Sequence, residues 1–214
     1  MTDPYRFAAR PSSARRLMRG YASKFSDGPV ADLGCGRGYF LEALRDHGVT
    51  AVGVDLADQA ITHCRALGFE ITKADAVDYL AATGGLRGIF ASHLIEHLTP
   101  EVADQMLDRA LNALAPGGTI VIVTPNLRDI DTLSEIFWLD PTHVRPYPPA
   151  LVSSMLESHG FVSVTSGRGA MPYGPRSLPR VLLGRLRYGC DYGVTEVWIR
   201  GVKPEVSAAA DRLA

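Results

Sequence analysis

One segment, PVADLGCGRGYFLEALRDHG at residues 29–48, constrains the fold more than any other part of the chain. In it an apolar run meets three closely spaced glycines and then a helical pattern, in which Phe40, Leu41 and Leu44 share one face and Gly48 ends the helix. A buried strand that turns sharply into a helix is typical of the first unit of an open parallel sheet. We therefore predict such a strand–turn–helix unit here.

Strand-like and helix-like segments alternate along the rest of the sequence, and this alternation predicts an α/β fold. The clearest helix runs through TPEVADQMLDRALNALAPGG, where Thr99 caps the start, Pro100 suits the first turn and Gly117 follows the predicted end. The segment TIVIVTPN is apolar enough to predict a central strand buried on both faces. The other predicted strands are residues 29–34, 50–56, 69–75, 88–93, 161–167 and 193–204, and the other predicted helices are residues 12–25, 38–48, 57–68 and 148–160.

Alternating strands and helices require parallel strands joined by right-handed crossovers. We therefore predict a Rossmann-like, seven-stranded, mostly parallel sheet with helices on both faces. No convincing crossover helix separates residues 161–167 from residues 193–204, so the last strand is expected to be antiparallel. We predict a single domain over residues 1–214, with an N-terminal helical cap at 1–28 and an insertion at 170–192 before the last strand.

The composition argues against several classes of function. The 22 basic and 23 acidic side chains give a net charge of −1, which offers no global attraction to nucleic acid or to a membrane surface. Cys35, Cys64 and Cys190 are far apart and form neither a disulfide framework nor a zinc-ligand pattern, so we expect a reducing, cytoplasmic environment. No apolar run reaches the length of a membrane-spanning helix, and no secretion signal is recognisable at the start.

The glycine loop predicts a ligand site, because ligands of open parallel sheets bind beyond the carboxyl ends of the strands. Glycines at this turn let a bulky ligand approach the backbone. The spacing Gly34-x-Gly36-x-Gly38 is one residue shorter than the dinucleotide pattern, and Asp32 would repel a pyrophosphate. Both features argue against an NAD-dependent oxidoreductase. The Asp32 carboxylate suits a cation instead, such as the amino group of an amino acid.

Acidic residues at the next two strand ends extend this site. Asp55 and Leu56 close the second predicted strand, and the Asp55 carboxylate is placed to accept both hydroxyl groups of a ribose. Asp75 and Ala76 follow the third strand, where they would meet an adenine amino group. A ligand with an aminoacyl tail, a ribose and an adenine but no phosphate is S-adenosylmethionine.

These segments resemble the class I S-adenosylmethionine-dependent methyltransferases in four places. The matching stretches are ADLGCGRGYF, VGVDL, KADAVDYL and LAPGGTIVIVTPN, which follow one another in the family's order between residues 29 and 126. The resemblance implies S-adenosylmethionine as cofactor and the family's seven-stranded sheet. It implies that the cofactor-binding residues are Asp32, Gly34, Cys35, Gly36, Gly38, Asp55, Leu56, Asp75, Ala76 and His93. As a residue type, Cys35 is expected to be a small packed side chain rather than a nucleophile.

Candidates for the chemistry of methyl transfer follow the fourth predicted strand in the segment SHLIEHL. His93, Glu96 and His97 have the spacing of one helical face, and His93 lies where the methyl group is expected, as a base or as a residue that orients the acceptor. The segment resembles the Glu-x-x-Glu-His metal site of some ubiquinone-pathway O-methyltransferases. Because a histidine stands where that motif has its first glutamate, we expect no metal here.

A second candidate base, His143, lies in the segment FWLDPTHVRPYPP after the fifth predicted strand. The prolines stiffen this loop, and Asp140 is near enough in sequence to orient the imidazole. The alternative is a connection in which Trp138 and Tyr147 simply pack. The stretch DPTHVRPY resembles bacterial methyltransferases of surface glycan and lipopolysaccharide biosynthesis, which favours a sugar or glycan-linked acceptor.

The segment YGPRSLPRVLLGRLRYG, residues 173–189, mixes arginines with aliphatic residues and allows two interpretations. It would dock a phosphorylated or membrane-linked acceptor by peripheral contact, or it would form the interface of a homodimer. The function predicted from the sequence is O-methylation of a sugar or glycan-linked acceptor. The alternatives are methylation of a quinone precursor or a carboxylate, and a non-catalytic, S-adenosylmethionine-binding regulatory subunit.

Overall fold

The computed structural model describes residues 11–169, 186 and 194–205, and places all the strands of this part in one sheet. The strands are β1 (Val30–Leu33), β2 (Ala51–Asp55), β3 (Ile71–Lys73), β4 (Leu86–Ser92), β5 (Leu114–Pro125), β6 (Val162–Arg168) and β7 (Glu196–Val202). Their order is β3-β2-β1-β4-β5-β7-β6. The first five strands pair in parallel, and β7 runs antiparallel to both β5 and β6. The predicted mostly parallel sheet with an antiparallel last strand is confirmed.

Helices cover both faces of this sheet. They are α1 (Pro11–Ala22), α2 (Tyr39–Asp46), α3 (Asp58–Ala66), α4 (Ala76–Ala81), α5 (Pro100–Ala113), α6 (Ile130–Ser134) and α7 (Pro149–Ser158), with 3₁₀ turns at Ile95–His97 and Ile136–Leu139. Alternate residues of β5 point to opposite faces. Ile120 and Ile122 pack in the cluster that contains α5 and α7, whereas Val121 and Val123 pack in the cluster that contains α1 and α2.

Two local predictions were wrong. Helix α5 ends at Ala113 rather than directly before Gly117, because the backbone of Leu114 is already extended and this residue pairs with Leu86 as the start of β5. Gly117 has a φ of +73° within the strand. Helix α4 was not predicted at all, since its single apolar turn is too short to show a helical period; Asp75 caps it by accepting the N–H of Val77.

Several predictions from the sequence fall outside the described residues. They are the first ten residues of the N-terminal cap, the insertion at 170–192 apart from Leu186, and the tail beyond residue 205. The proposed acceptor-docking or dimer role of residues 173–189 therefore stays a prediction. Among the helices that the structure describes, none has the length and hydrophobicity needed to cross a membrane.

We expect Gly88→Ala to lower the free energy of unfolding by about 1–3 kcal/mol, as other overpacking substitutions do. A Cβ atom at this position in β4 would lie 2.5 Å from Cδ1 of Phe25 and 3.0 Å from Cγ2 of Val30, so a buried ring would have to move. Urea denaturation measures the change. Gly84→Ala is the matched control, because a Cβ there meets nothing within 4 Å. Equal stability of the two variants would contradict the prediction.

Candidate functional site

The glycine loop between β1 and α2 has a backbone that other residues rarely adopt. Gly34, Gly36 and Gly38 have φ angles of 71°, 51° and 73°, in the left-handed region where a side chain is strained. Gly38 is also closely packed, since a Cβ there would lie 2.9 Å from Sγ of Cys64. These three positions therefore require glycine, and the loop leaves its backbone open to a ligand.

Asp55 at the end of β2 holds this loop in place. One carboxylate oxygen accepts the N–H of Gly36 at 2.9 Å, and the other accepts the N–H of Ala57 at 2.8 Å. Each carboxylate oxygen can accept more than one hydrogen bond, so the group retains capacity for the hydroxyl groups of a ribose. The structure thus shows a structural role of Asp55 in the loop, and its binding of a ribose stays a prediction.

Asp32 is buried at 3% exposure in the middle of β1. Within the part of the chain that the structure describes, its Oδ2 atom has no hydrogen-bond partner. Burial, together with the nearby Cys64 and Asp55, raises the pKa of this carboxyl group well above its usual value. A desolvated carboxylate with an unsatisfied oxygen is stabilised by a cationic partner, and the amino group of S-adenosylmethionine is such a partner.

Four more of the predicted cofactor residues lie at the same edge of the sheet. Asp75 caps α4 through one of its oxygens, and Ala76 is the first residue of that helix. Leu56 is 60% exposed, which suits an apolar side chain that covers a bound ligand. Cys35 is buried and packs beside Gly53, as expected for a small core residue.

A cleft of about 400 Å³ lies beside the glycine loop. Its lining includes Gly36, Arg37 and Gln59. Neither Asp32 nor Asp55 is part of this lining, so the cleft adjoins the predicted cofactor site rather than forming it.

His93 at the end of β4 lies between two buried carboxylates. Its backbone is left-handed, with a φ of 52°. Its Nδ1 is 3.0 Å from Oε1 of Glu96, and its Nε2 is 3.3 Å from Oε2 of Glu196. Since carboxylates only accept, both ring nitrogens act as donors.

These contacts also determine the charge of His93. Burial works to lower the pKa of His93, but the hydrogen bonds to Glu196 and Glu96 outweigh it and raise the pKa to about 10. The side chain is 44% exposed, so solvent screens part of the attraction. The raised pKa favours the cationic ring, and in that form both nitrogens donate to the two carboxylates and neither has a free lone pair with which to take a proton.

Two members of this network were not identified from the sequence. Glu196 at the start of β7 is 5% exposed, and Tyr21 of α1 donates its hydroxyl to Oε1 of Glu196 at 2.6 Å. The available signal was a glutamate inside the apolar strand TEVWIRG. The contact between Glu196 and Tyr21 could not be predicted from local sequence patterns, because the two residues are 175 positions apart.

The loop after β5 docks onto the turn after β4. The backbone N–H groups of Val144 and Arg145 both donate to the carbonyl oxygen of Glu96, at 2.8 and 3.3 Å. This attachment brings the ring of His143 to 4.7 Å from the ring of His97, centroid to centroid. One ring nitrogen of His97, one ring nitrogen of His143 and one carboxylate oxygen of Glu96 all lie within 4.8 Å of one another.

The two aromatic residues of this loop have different environments. Tyr147 is buried at 1% exposure and donates its hydroxyl to the carbonyl oxygen of Leu98, so it packs as the simpler interpretation predicted. Trp138 is 64% exposed, and its indole N–H donates to the carbonyl oxygen of Leu133. The loop is therefore anchored through Tyr147 and presents Trp138 to solvent.

Comparisons with known proteins agree with this architecture. Residues 6–166 match the methyltransferase domain family. A trans-aconitate 2-methyltransferase of Sinorhizobium medicae is 31% identical over 167 residues, which cover 75% of this chain and 56% of that protein. A probable S-adenosylmethionine-dependent methyltransferase of Mycolicibacterium smegmatis is 26% identical over 134 residues, 62% of this chain and 51% of that protein. The chain thus spans about half the length of these curated relatives.

The fold has a close counterpart among solved structures. A SAM-dependent methyltransferase from Archaeoglobus fulgidus superposes with a TM-score of 0.80 and 27% sequence identity, covering 93% of this chain and 97% of the other. The glycine loop and the acidic ends of β1 and β2 lie within the residues that match the family. On the family match and these relatives, the chain belongs to the S-adenosylmethionine-dependent methyltransferases of class I.

Proposed function

We propose that this chain transfers a methyl group from S-adenosylmethionine to a carboxylate oxygen of a small-molecule acceptor. The cofactor supplies an electrophilic methyl group on a sulfonium centre. The protein's task is to hold the acceptor oxygen in line with that group and to exclude water. An oxygen that is already anionic needs no general base, whereas a hydroxyl acceptor does.

The observation that carries this proposal is the hydrogen bonding of His93. Its two ring nitrogens bond to the carboxylates of Glu96 and Glu196. The His93 imidazole therefore has no free nitrogen with which to remove a proton from a hydroxyl group. An acceptor that arrives deprotonated fits this arrangement. The trans-aconitate methyltransferases, whose names specify a polycarboxylate, support the same acceptor class.

A hydroxyl acceptor, such as the sugar expected from the sequence, is the second candidate. The observation that favours it is the position of His143, whose Nδ1 bonds to the carbonyl oxygen of Phe137. A carbonyl only accepts, so Nδ1 carries the proton and Nε2 of the neutral ring keeps a lone pair. Such a ring is able to act as a general base. The relatives give this candidate no support, and we rank it second.

The two candidates differ in the chemical stability of their products. We expect turnover of methyl-labelled S-adenosylmethionine with trans-aconitate or related di- and tricarboxylates, and a labelled product that releases methanol on mild alkaline hydrolysis, as a methyl ester does. Sugars and phenols are the parallel acceptors. A base-stable methyl ether formed from one of them, with no turnover of carboxylates, would establish the second candidate. Cofactor binding without turnover of any acceptor would instead favour a non-catalytic subunit.

A further inference from the structure

Three side chains with free lone pairs converge where the loop after β5 meets the turn after β4, beyond what the proposed methyl transfer requires. They are Glu96, His97 and His143, and their nearest donor atoms lie within 4.8 Å of one another. The site lies at the same sheet edge as the cofactor loop. Leu94, two residues before Glu96, would be 3.6 Å from a Cβ placed on Gly34.

The hydrogen bonds of His97 determine which of its nitrogens is free. The Thr142 hydroxyl donates its single proton to Oδ1 of Asp140 at 2.6 Å. Towards Nδ1 of His97, 2.9 Å away, the Thr142 oxygen therefore offers only a lone pair, and Nδ1 must carry the proton. The neutral ring of His97 consequently has its lone pair on Nε2.

The hydrogen bond of His143 selects the same tautomer as in His97, with a different partner. Its Nδ1 bonds to the carbonyl oxygen of Phe137, which only accepts, so Nδ1 is the protonated nitrogen and Nε2 has the lone pair. The Phe137 ring also stacks on the His143 ring at 4.4 Å between centroids, which fixes the ring orientation. A histidine that gives its other N–H to a carbonyl or a similar acceptor is the usual arrangement of a metal ligand.

Glu96 supplies the third donor. It is fully buried, its Oε1 is bonded to His93, and its Oε2 has no hydrogen-bond partner within the described ranges. An unsatisfied buried carboxylate oxygen is costly unless a cation or a donor meets it. Two imidazole nitrogens and one carboxylate form a donor set that binds Zn²⁺ and other first-row divalent metals.

We propose that Glu96, His97 and His143 bind one divalent transition-metal ion. Three protein ligands leave coordination positions open, as in catalytic rather than structural zinc sites. Donor atoms around a zinc ion with bonds of about 2.0–2.2 Å are about 3.3–3.5 Å apart, so the side chains draw together when the ion binds. The sequence-based expectation of no metal concerned a different set of residues, His93, Glu96 and His97. The proposed set contains His143 instead of His93.

The ion would also change the charge that an acceptor meets. Without it, the buried Glu96 carboxylate is balanced by the His93 ring that is bonded to it. A divalent cation bound to Glu96 would add positive charge at this turn, and an open coordination position favours an anionic or neutral oxygen. The metal site does not depend on the proposed acceptor, because it is argued from the three donors alone.

Metal titration of the chelator-stripped protein tests the inference. We expect calorimetry to show one equivalent of Zn²⁺ bound, and Co²⁺ to give a visible absorption band at the same stoichiometry. His143→Ala and Glu96→Gln should each weaken binding by at least about 100-fold, since the loss of outer partners alone costs about 10- to 100-fold. His47→Ala, a change to an exposed histidine outside the cluster, should leave affinity unchanged.

A second pair of variants tests the hydrogen-bond argument. Thr142→Val removes the acceptor for His97 and should weaken Zn²⁺ binding by about 10- to 100-fold, whereas Thr142→Ser should retain it. Circular dichroism and retained S-adenosylmethionine binding confirm that each variant is folded, and His143 lies on a surface loop, so its variant is expected to fold. Absence of stoichiometric binding by the wild type, or equal Zn²⁺ affinity of the wild type and His143→Ala, would overturn the site.

Discussion

Asp55→Ala is expected to weaken S-adenosylmethionine binding by about 2–4 kcal/mol, roughly 30- to 900-fold, without unfolding the protein. The substitution removes the carboxylate that we predict to accept two ribose hydroxyl groups. It also removes the acceptor of the Gly36 and Ala57 N–H groups, so the glycine loop loses the contact that holds it against β2. Both losses act on the same ligand. Calorimetric titration with the cofactor or its demethylated product measures the effect.

Asp58→Ala is the matched control for that experiment. Asp58 is three residues further along at the start of α3, where it pairs with Lys73 on the exposed surface. An exposed ion pair contributes little, so this variant should bind the cofactor with nearly the affinity of the wild type. If Asp55→Ala binds as tightly as Asp58→Ala, Asp55 is not a cofactor ligand. Tight binding of NADH by the wild type would contradict the cofactor assignment itself.

The parts of the fold that local chemistry determines were predictable from the sequence. Thr99 and Pro100 marked the start of α5, and the unbroken apolar run TIVIVTPN marked a strand with both faces covered. The end of α5 was not predictable in this way. Leu114 leaves the helix because it pairs with Leu86 in β4, a contact between segments nearly thirty residues apart. A strand pairing of that kind overrides the helical preference of the last turn.

In the candidate site, too, features set by local sequence were predictable, whereas features set by contacts between distant segments were not. The glycine loop is a contiguous motif, so the need for glycine at Gly36 and Gly38 could be predicted from the sequence alone. The surroundings of His93 and His97 are instead assembled from distant segments. Glu196 meets His93 across β7 and β4, and His143 meets His97 only because the carbonyl oxygen of Glu96 accepts two N–H groups of the later loop. Helical spacing grouped His93 with His97, but the turn after β4 is a short 3₁₀ segment in which Glu96 is buried.

We expect the affinity for S-adenosylmethionine to depend on pH through Asp32. Burial raises the pKa of this carboxyl group in the ligand-free protein, so the group keeps its proton to higher pH than an ordinary aspartate. An ammonium group beside it favours the ionised form and lowers that pKa again. We therefore expect binding of the cofactor's amino group to release a proton from Asp32. The apparent affinity must then rise with pH, by up to about tenfold per pH unit, until the ligand-free carboxyl group is itself ionised.

Asp32→Asn should abolish this dependence and weaken cofactor binding at neutral pH by roughly 10- to 100-fold, because it replaces a charge-assisted contact with an amide of the same shape. Calorimetry between pH 5 and 7 measures both effects, a range in which the cofactor's own amino group stays protonated. Titrations in two buffers of different ionisation enthalpy count the released proton directly. A variant that binds as tightly as the wild type at neutral pH would show that the amino group of S-adenosylmethionine lies elsewhere. Since Asp32 is 3% exposed and its Oδ2 lacks a partner among the described residues, such a result would leave its unsatisfied oxygen without a ligand to explain it.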